Sequence, residues 1–295
     1  MKDWVIGVIG GSGLYDIDAL ADKRSIDIVT PWGDPSDSLL EGVIDGLRVV
    51  FLPRHGRGHR IGPSDLNYRA NIAALKMAGC TDIVSISAVG SLRRHLPPRT
   101  FVVVDQFIDR TFARQKTFFE PGLVGHVSMA DPTCARLSAL TAAAARQSGI
   151  SVVEGGVYLV MEGPQFSTRA ESRLYQSWGC DVIGMTNMPE AKLAREAELP
   201  YASVAMVTDY DCWHHDEEPV EVEKILQCMH DNVGNARLMI EYLVKALPSK
   251  REPSAIDKAL DGAIITAAHA RDSAVIAKLQ AISSRAFIRS KTGGR

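Results

Sequence analysis

Residues 4–9 of this chain form an apolar run that stops at Gly10-Gly11-Ser12-Gly13. An unbroken apolar run closed by glycines is the pattern of a strand buried on both faces. Such a strand needs a sheet with helices on each side, and the rest of the chain has to fit that frame. Residues 43–52 read as a hairpin, with Asp45-Gly46 at the turn and β-branched residues around it. Residues 67–78 read as an amphipathic helix stopped by Gly79, and 82–92 as another buried strand ending in a Gly-Ser loop. The alternation continues with a strand over 101–107, a helix over 131–148, a strand over 152–161 and a capped helix over 168–178. A short strand over 181–184, a helix over 190–198, a strand over 201–208 and a long helix over 220–245 complete it. The pattern predicts an α/β fold: a single domain with a central mixed β-sheet flanked by helices.

The stretch 247–254 (LPSKREPS) is linker-like, so residues 1–248 are expected to form the main domain and 249–295 a C-terminal helical extension. In the extension, Ser254 offers a helix cap followed by Ile256, Leu260 and Ile264, and Asp272 a second start followed by Val275, Leu279 and Ile282. The end, 289–295, is expected to be disordered.

In sheets of this kind ligands bind beyond the carboxyl ends of the strands. Gly10-Gly11-Ser12-Gly13 offers amides and the Ser12 hydroxyl to an anion, but it lacks the P-loop lysine and the GxGxxG spacing, so a plain tight turn explains it as well. In PRHGRGHR (53–60), Arg54 and His55 follow an apolar run directly. An arginine fork there suits phosphate; the alternative is a solvated basic turn. Ser87 and Ala88 sit in a third strand-end loop, SAVGS (87–91). Together these loops look like a phosphate site that uses no metal. Phe166, alone among polar residues in MEGPQFSTRAES, could stack on a flat ring or fill the core. Met185 and Met188 flank Thr186 and Asn187, either facing a ribose or plugging gaps.

Asp209 and Asp211 close the apolar strand 201–208 with one residue between them, which on a strand points both carboxylates to one side. Two such acids can accept from an amino group and pass a proton to a ring nitrogen, making a heterocycle a better leaving group. Cys212 with His214 and His215 lacks the four ligands in spaced pairs of a structural zinc site. The five cysteines form no CxxC pair and are odd in number, so free thiols and a reducing, cytoplasmic compartment are expected. A formal net charge of −2 gives no electrostatic case for nucleic acid or a membrane surface. The first residues read as a strand running into a loop, not as a signal peptide, and no apolar run reaches a membrane-spanning length.

In order and spacing, GGSGLYD, RHGRGH, PSDLNYRANI, AVGSL, DQFIDRT, EGPQFSTRAES, GMTNMPEA and TDYDCWHHDEE resemble the trimeric branch of the purine nucleoside phosphorylase family, in the pattern of its methylthioadenosine phosphorylases. The resemblance covers about residues 5–245. It implies a nucleoside phosphorylase-like fold and phosphorolysis of S-methyl-5′-thioadenosine, with inorganic phosphate as co-substrate and no metal or organic cofactor. Ser12, Arg54, His55, Ser87, Ala88 and Thr186 would lie at phosphate, Ala88 also beside the nucleoside. Phe166 would stack near the base and Met185 lie under the ribose. Asp209 would face N7 and Asp211 the exocyclic amine of adenine, with Asp209 the raised-pKa acid. Val222 and Ile225 would line the 5′-methylthio pocket. His126 would reach the site of a neighbouring subunit, implying a homotrimer. Ser12 and Ser87 stand where many relatives carry threonine, Asn187 where the eukaryotic enzymes have a second threonine, and the tail beyond 250 does not align. The close rival is a 6-oxopurine or methylthioinosine phosphorylase, which would want Asn in place of Asp209. A hydrolase would leave the phosphate loops idle. A non-catalytic nucleotide-binding protein is the remaining alternative, from a different class.

Overall fold

A computed structural model describes residues 3–11, 13–14, 16–214 and 222–288. The expected disordered end, 289–295, lies outside them. Eleven strands among the described residues form one mixed sheet. β1 (Val5–Gly10) lies between β4 (Leu47–Pro53) and β5 (Asp82–Ser91), parallel to both. β3 (Leu39–Ile44) joins β4 at the expected hairpin turn, where Asp45 and Gly46 both have positive φ (48° and 72°). β2 (Ala21–Ile26) extends this edge antiparallel to β3 and is exposed along almost its whole length. Its sequence, ADKRSI, has no apolar face, so nothing in the hydrophobic pattern announces it.

β5 is the hub of the sheet. β11 (Tyr201–Asp209) follows it in parallel from Ile83 to Gly90, with a register shift between Val207 and Asp209. β10 (Val182–Gly184) pairs antiparallel with its last two residues. Gly90 is therefore flanked by Asp209 on one side and Ile183 on the other.

Two runs expected as single strands are each two. Residues 101–107 divide into β6 (Phe101–Val104) and β7 (Gln106–Arg110), and 152–161 into β8 (Val152–Glu154) and β9 (Val157–Met161). The breaks meet each other: Gly155 and Gly156 have φ of 81° and 130°, and Gly156 N donates to Asp105 Oδ1 at 3.0 Å. β6 and β8 continue the sheet from β11, whereas β7 and β9 continue it from β10. The sheet thus forks, and apolar residues stand on both sides of each break, so periodicity alone does not reveal it.

Helices cover both faces. α1 (Tyr68–Met77) is capped by Asn67, whose Oδ1 accepts from Ala70 N at 3.1 Å. α2 (Ala135–Gln147) starts later than expected, and α3 (Arg169–Ser177) carries the reciprocal cap between Thr168 and Glu171. α4 (Asn187–Glu196) begins three residues before the expected 190, with Met188 off helical geometry ahead of Pro189. α5 (Val222–Ala246) is the last helix before the linker-like stretch 247–254. Ile9, Val50 and Ala205 pack with Ile72 and Leu193 on one face. Val8, Phe51 and Val204 pack with Leu137 and Ile240 on the other, which is the two-sided burial that the apolar strands require.

In the extension, Ser254 caps only a single 3-10 turn (Ala255–Lys258), and Ile264 bridges to Gly125 instead of continuing a helix. α6 (Ser273–Ile288) starts after Asp272, whose Oδ1 accepts from Ala274 N at 2.7 Å, and buries Val275, Leu279 and Ile282. Buried Glu198 holds this segment, accepting from Leu260 N at 3.1 Å and Ser283 Oγ at 2.8 Å and pairing with Arg285.

One buried carboxyl in this frame makes stability depend on pH near neutrality. Glu196 accepts from Phe118 N at 2.7 Å and Thr117 Oγ1 at 2.8 Å. Burial nonetheless pushes its pKa up to about 7, against those hydrogen bonds. A carboxyl whose folded pKa is raised loses stability as pH climbs from its ordinary value towards 7, and the loss levels off above that. Glu196→Gln abolishes the titration. The stability of that variant relative to the parent is expected to rise by roughly 2–3 kcal/mol between pH 5 and pH 8. Urea unfolding at both pH values measures this, and a constant difference would mean that Glu196 titrates normally.

Candidate active site

The carboxyl ends of β1, β4 and β5 lie side by side because the strands are parallel neighbours. Arg54, just past β4, is 2% exposed and turns inward. Its Nε donates to Glu190 Oε2 at 2.9 Å, Nη1 to Ile86 O at 2.9 Å, and Nη2 to Ser85 Oγ at 2.7 Å and Glu190 Oε1 at 3.1 Å. Burial alone would lower the arginine pKa, but the charge and hydrogen bonds of Glu190 raise it. The expected phosphate clamp is thus largely committed to the protein among the described residues. Arg57 pairs with Asp37 and lies exposed on the surface, as a solvated basic turn would have it.

His55 is neutral. Burial, then the neighbouring Arg54 charge, push its pKa down to about 4. Its Nδ1 lies 2.9 Å from Ile61 O, so Nδ1 carries the hydrogen and Nε2 is an acceptor. The ring stacks on His59 at 4.2 Å between centroids. Ser87 Oγ lies 3.3 Å from Tyr158 OH, and Thr186 also bears on that phenol, so hydroxyls from the middle of β5, the start of β9 and the segment just past β10 converge. Ala88 follows Ser87 on β5. Gly184 leaves room for this convergence, since a side-chain carbon there would come within 2.1 Å of Tyr158 OH.

The aspartates converge on the far end of β5, but not by strand alternation. β11 ends at Asp209, and Asp211 opens a single 3-10 turn (Asp211–Trp213) with a φ of 51°. That left-handed conformation costs a non-glycine residue about 1 kcal/mol or more. Asp211 N donates to Asp209 Oδ1 at 2.8 Å and Thr208 Oγ1 to Asp209 Oδ2 at 2.7 Å. Trp213 Nε1 pins the turn to Ser91 O at 2.8 Å. Both acids face Gly90: a side-chain carbon there would lie 3.1 Å from Asp209 Oδ1 and 3.3 Å from Asp211 Cβ. Burial raises the Asp211 carboxyl above the ordinary aspartate value, Ser172 and the Cys212 amide pull it down, and Asp209 pushes it up again. Its Oδ2 is buried without a hydrogen-bond partner among the described residues.

Met185 lies against the Gly163-Pro164 turn, where a side chain at Gly163 would come within 2.5 Å of its sulfur. Phe166, on the same loop, is 63% exposed and so does not fill the core. Ser12 lies outside the described residues, as do the side chains of Val222 and Ile225, whose backbones belong to α5. His126 is joined to the extension through its amide, which donates to Ala263 O at 2.9 Å. Among the described residues no group of three or more His, Cys, Asp or Glu side chains could hold a metal.

Sequence reasoning passed over Glu190, Ser85, Tyr158, Tyr201 and Gly90. The signal was present for two of them: a tyrosine inside a strand buried on both faces has a hydroxyl that must find a partner.

The sequence profile of the phosphorylase superfamily matches residues 5–245. An S-methyl-5′-thioadenosine phosphorylase of Cereibacter sphaeroides is 58% identical over 283 residues, covering 95% of this chain and 98% of that protein. The crystal structure of a methylthioadenosine phosphorylase from an antarctic soil metagenomic library superposes with a TM-score of 0.90 at 46% identity, over 94% of this chain and 98% of that one. The methylthioadenosine phosphorylase of Schistosoma mansoni, solved in complex with adenine, superposes with a TM-score of 0.78 at 40% identity, over 83% and 93% of the two chains.

Proposed function

The chain belongs to the phosphorylase superfamily, and we propose that it splits S-methyl-5′-thioadenosine with inorganic phosphate, yielding adenine and S-methyl-5-thio-α-D-ribose 1-phosphate. The enzyme is a pentosyltransferase of purine and methionine salvage. The observation that carries the choice of base is the Asp209–Asp211 pair converging on Gly90. The orphaned Oδ2 of Asp211 is an acceptor suited to the exocyclic amine of adenine, and a poor match for a 6-oxo group.

In the reaction, phosphate attacks C1′ as the glycosidic bond loosens towards an oxocarbenium-like transition state, and the phosphate charge stabilises that cation. Asp209, as general acid, passes a proton to N7 so that adenine leaves neutral. Ser12, Ser87, Thr186, the amides beside Ala88 and His55, and the remaining donor of Arg54 hold the phosphate. Met185 lies under the ribose, Phe166 covers the base, and Val222 and Ile225 line the 5′ pocket. The exposure of Phe166 supports a role in covering a ligand. His126 completes the site of a neighbouring copy in a homotrimer. The reaction needs neither metal nor organic cofactor. Five free thiols support a reducing, cytoplasmic location.

Incubating the protein with S-methyl-5′-thioadenosine or methylthioinosine, with and without phosphate, and separating the bases by chromatography tests this reading. Adenine is expected only when phosphate is present, with little hypoxanthine. Hypoxanthine as the main base would overturn the role given to the aspartates.

A further inference from the structure

Glu190 stands at the centre of the polar network beneath the phosphate loops. It is 1% exposed. Its Oε1 accepts from Arg54 Nη2 at 3.1 Å, Ser85 Oγ at 2.5 Å and Tyr201 OH at 2.8 Å, and its Oε2 accepts from Arg54 Nε at 2.9 Å. From there the network reaches β1, β5 and the segment just past β10. Arg54 extends it to Ile9 O, ahead of the glycine loop, and to Ile86 O, next to Ser87. Tyr201 OH receives Asn187 Nδ2 at 2.9 Å, which also donates to Ser203 Oγ at 2.6 Å, and Asn187 Oδ1 accepts from Thr186 Oγ1 at 3.4 Å. Asn187 is fully buried, and its Oδ1 is its contact with the Thr186 hydroxyl.

We infer that Glu190 is a positioning residue for the phosphate co-substrate: by occupying most of the Arg54 fork it fixes the one remaining guanidinium donor, and through Tyr201 and Asn187 it orients the Thr186 hydroxyl. This rests on the phosphorolysis reading for the identity of the anion. Of the five N–H groups of an arginine, four on Arg54 are spent on Glu190, Ser85, Ile86 and Ile9 among the described residues. The Arg54–Glu190 pair is also neutral as a unit. Phosphate binding therefore depends on where donors point more than on a net positive charge, which makes it sensitive to Glu190. Replacing the carboxylate by an amide would put N–H groups against the guanidinium, and the fork would have to turn.

The test is calorimetric titration of the full chain with inorganic phosphate and, separately, with adenine. Glu190→Gln is expected to weaken phosphate binding about tenfold or more while adenine binding changes by less than about twofold. Glu190→Asp, which keeps the charge, should recover part of the loss. Tyr201→Phe, which removes one donor to Glu190 without touching Arg54, should weaken phosphate about threefold, and it serves if Glu190→Gln fails to fold. Equal weakening of both ligands, or unchanged phosphate affinity in the variants, would overturn the inference. A parent protein that binds no phosphate would overturn it too. If the parent binds phosphate and the variants lose it, yet no nucleoside is cleaved, the positioning role stands and the phosphorolysis reading falls.

Discussion

Asp209→Asn lowers the turnover of S-methyl-5′-thioadenosine by about 10²-fold or more, with KM within a few-fold of the parent, if Asp209 delivers the proton to N7. Asparagine matches aspartate in size: its carbonyl can keep the hydrogen bond that the Asp211 amide gives to Oδ1, and its NH2 group, standing where Oδ2 was, can donate to Thr208 Oγ1 once that hydroxyl turns. It has no acidic proton to give, so the loss falls on the chemical step more than on binding. The same variant offers an N–H where a 6-oxopurine presents an acceptor, so release of hypoxanthine from methylthioinosine should rise relative to adenine. Steady-state kinetics on both nucleosides reads the two effects together. Near-parental turnover of the adenine nucleoside by Asp209→Asn would remove Asp209 from the proton path.

Gly90→Ala is expected to lower kcat/KM for the nucleoside by about 10²-fold, because the added carbon crowds both acids at once and Asp209 must move. It would lie 3.1 Å from Asp209 Oδ1, 3.2 Å from Ile183 Cγ2 and 3.3 Å from Asp211 Cβ. Asp211 has little freedom to yield, being held in a left-handed turn that Trp213 pins to Ser91. Overpacking of this order costs about 1–3 kcal/mol of stability, which thermal unfolding would report separately from activity. Phosphate affinity should fall much less than kcat/KM, since the nearest atoms to the added carbon belong to Asp209, Ile183 and Asp211 and not to the hydroxyls around Tyr158. Parental kcat/KM in a folded Gly90→Ala protein would mean that the acid pair does not bear on the substrate.

These two positions mark the boundary between what a sequence displays and what it hides. The buried strands, the Asp45-Gly46 hairpin and the Asn67 and Thr168 caps were legible, because each rests on a local rule of periodicity or hydrogen bonding. Residues 53–60 do leave the end of β4 as a turn, but 87–91, expected as a loop, is the last half of β5, kept in strand by its pairing with β11 and β10. β2 was not legible, since an exposed edge strand needs no apolar face. The fork at Asp105 and Gly155-Gly156 was not, since it depends on which neighbours the two halves find. Arg54 looked like a free clamp because its partner, Glu190, is 136 residues away along the chain. Asp211 reached its place through a φ of 51°, not through the alternation that the spacing suggested. In each case the missing information was a tertiary partner or a backbone angle.

The central claim is that phosphate, not water, takes the pentose. Phosphorus NMR of the protein with S-methyl-5′-thioadenosine and inorganic phosphate tests it most directly. The account predicts a new sugar 1-phosphate resonance that grows in step with adenine while inorganic phosphate falls by the same amount. Adenine accumulating with the inorganic phosphate signal unchanged would mean hydrolysis, and would contradict it.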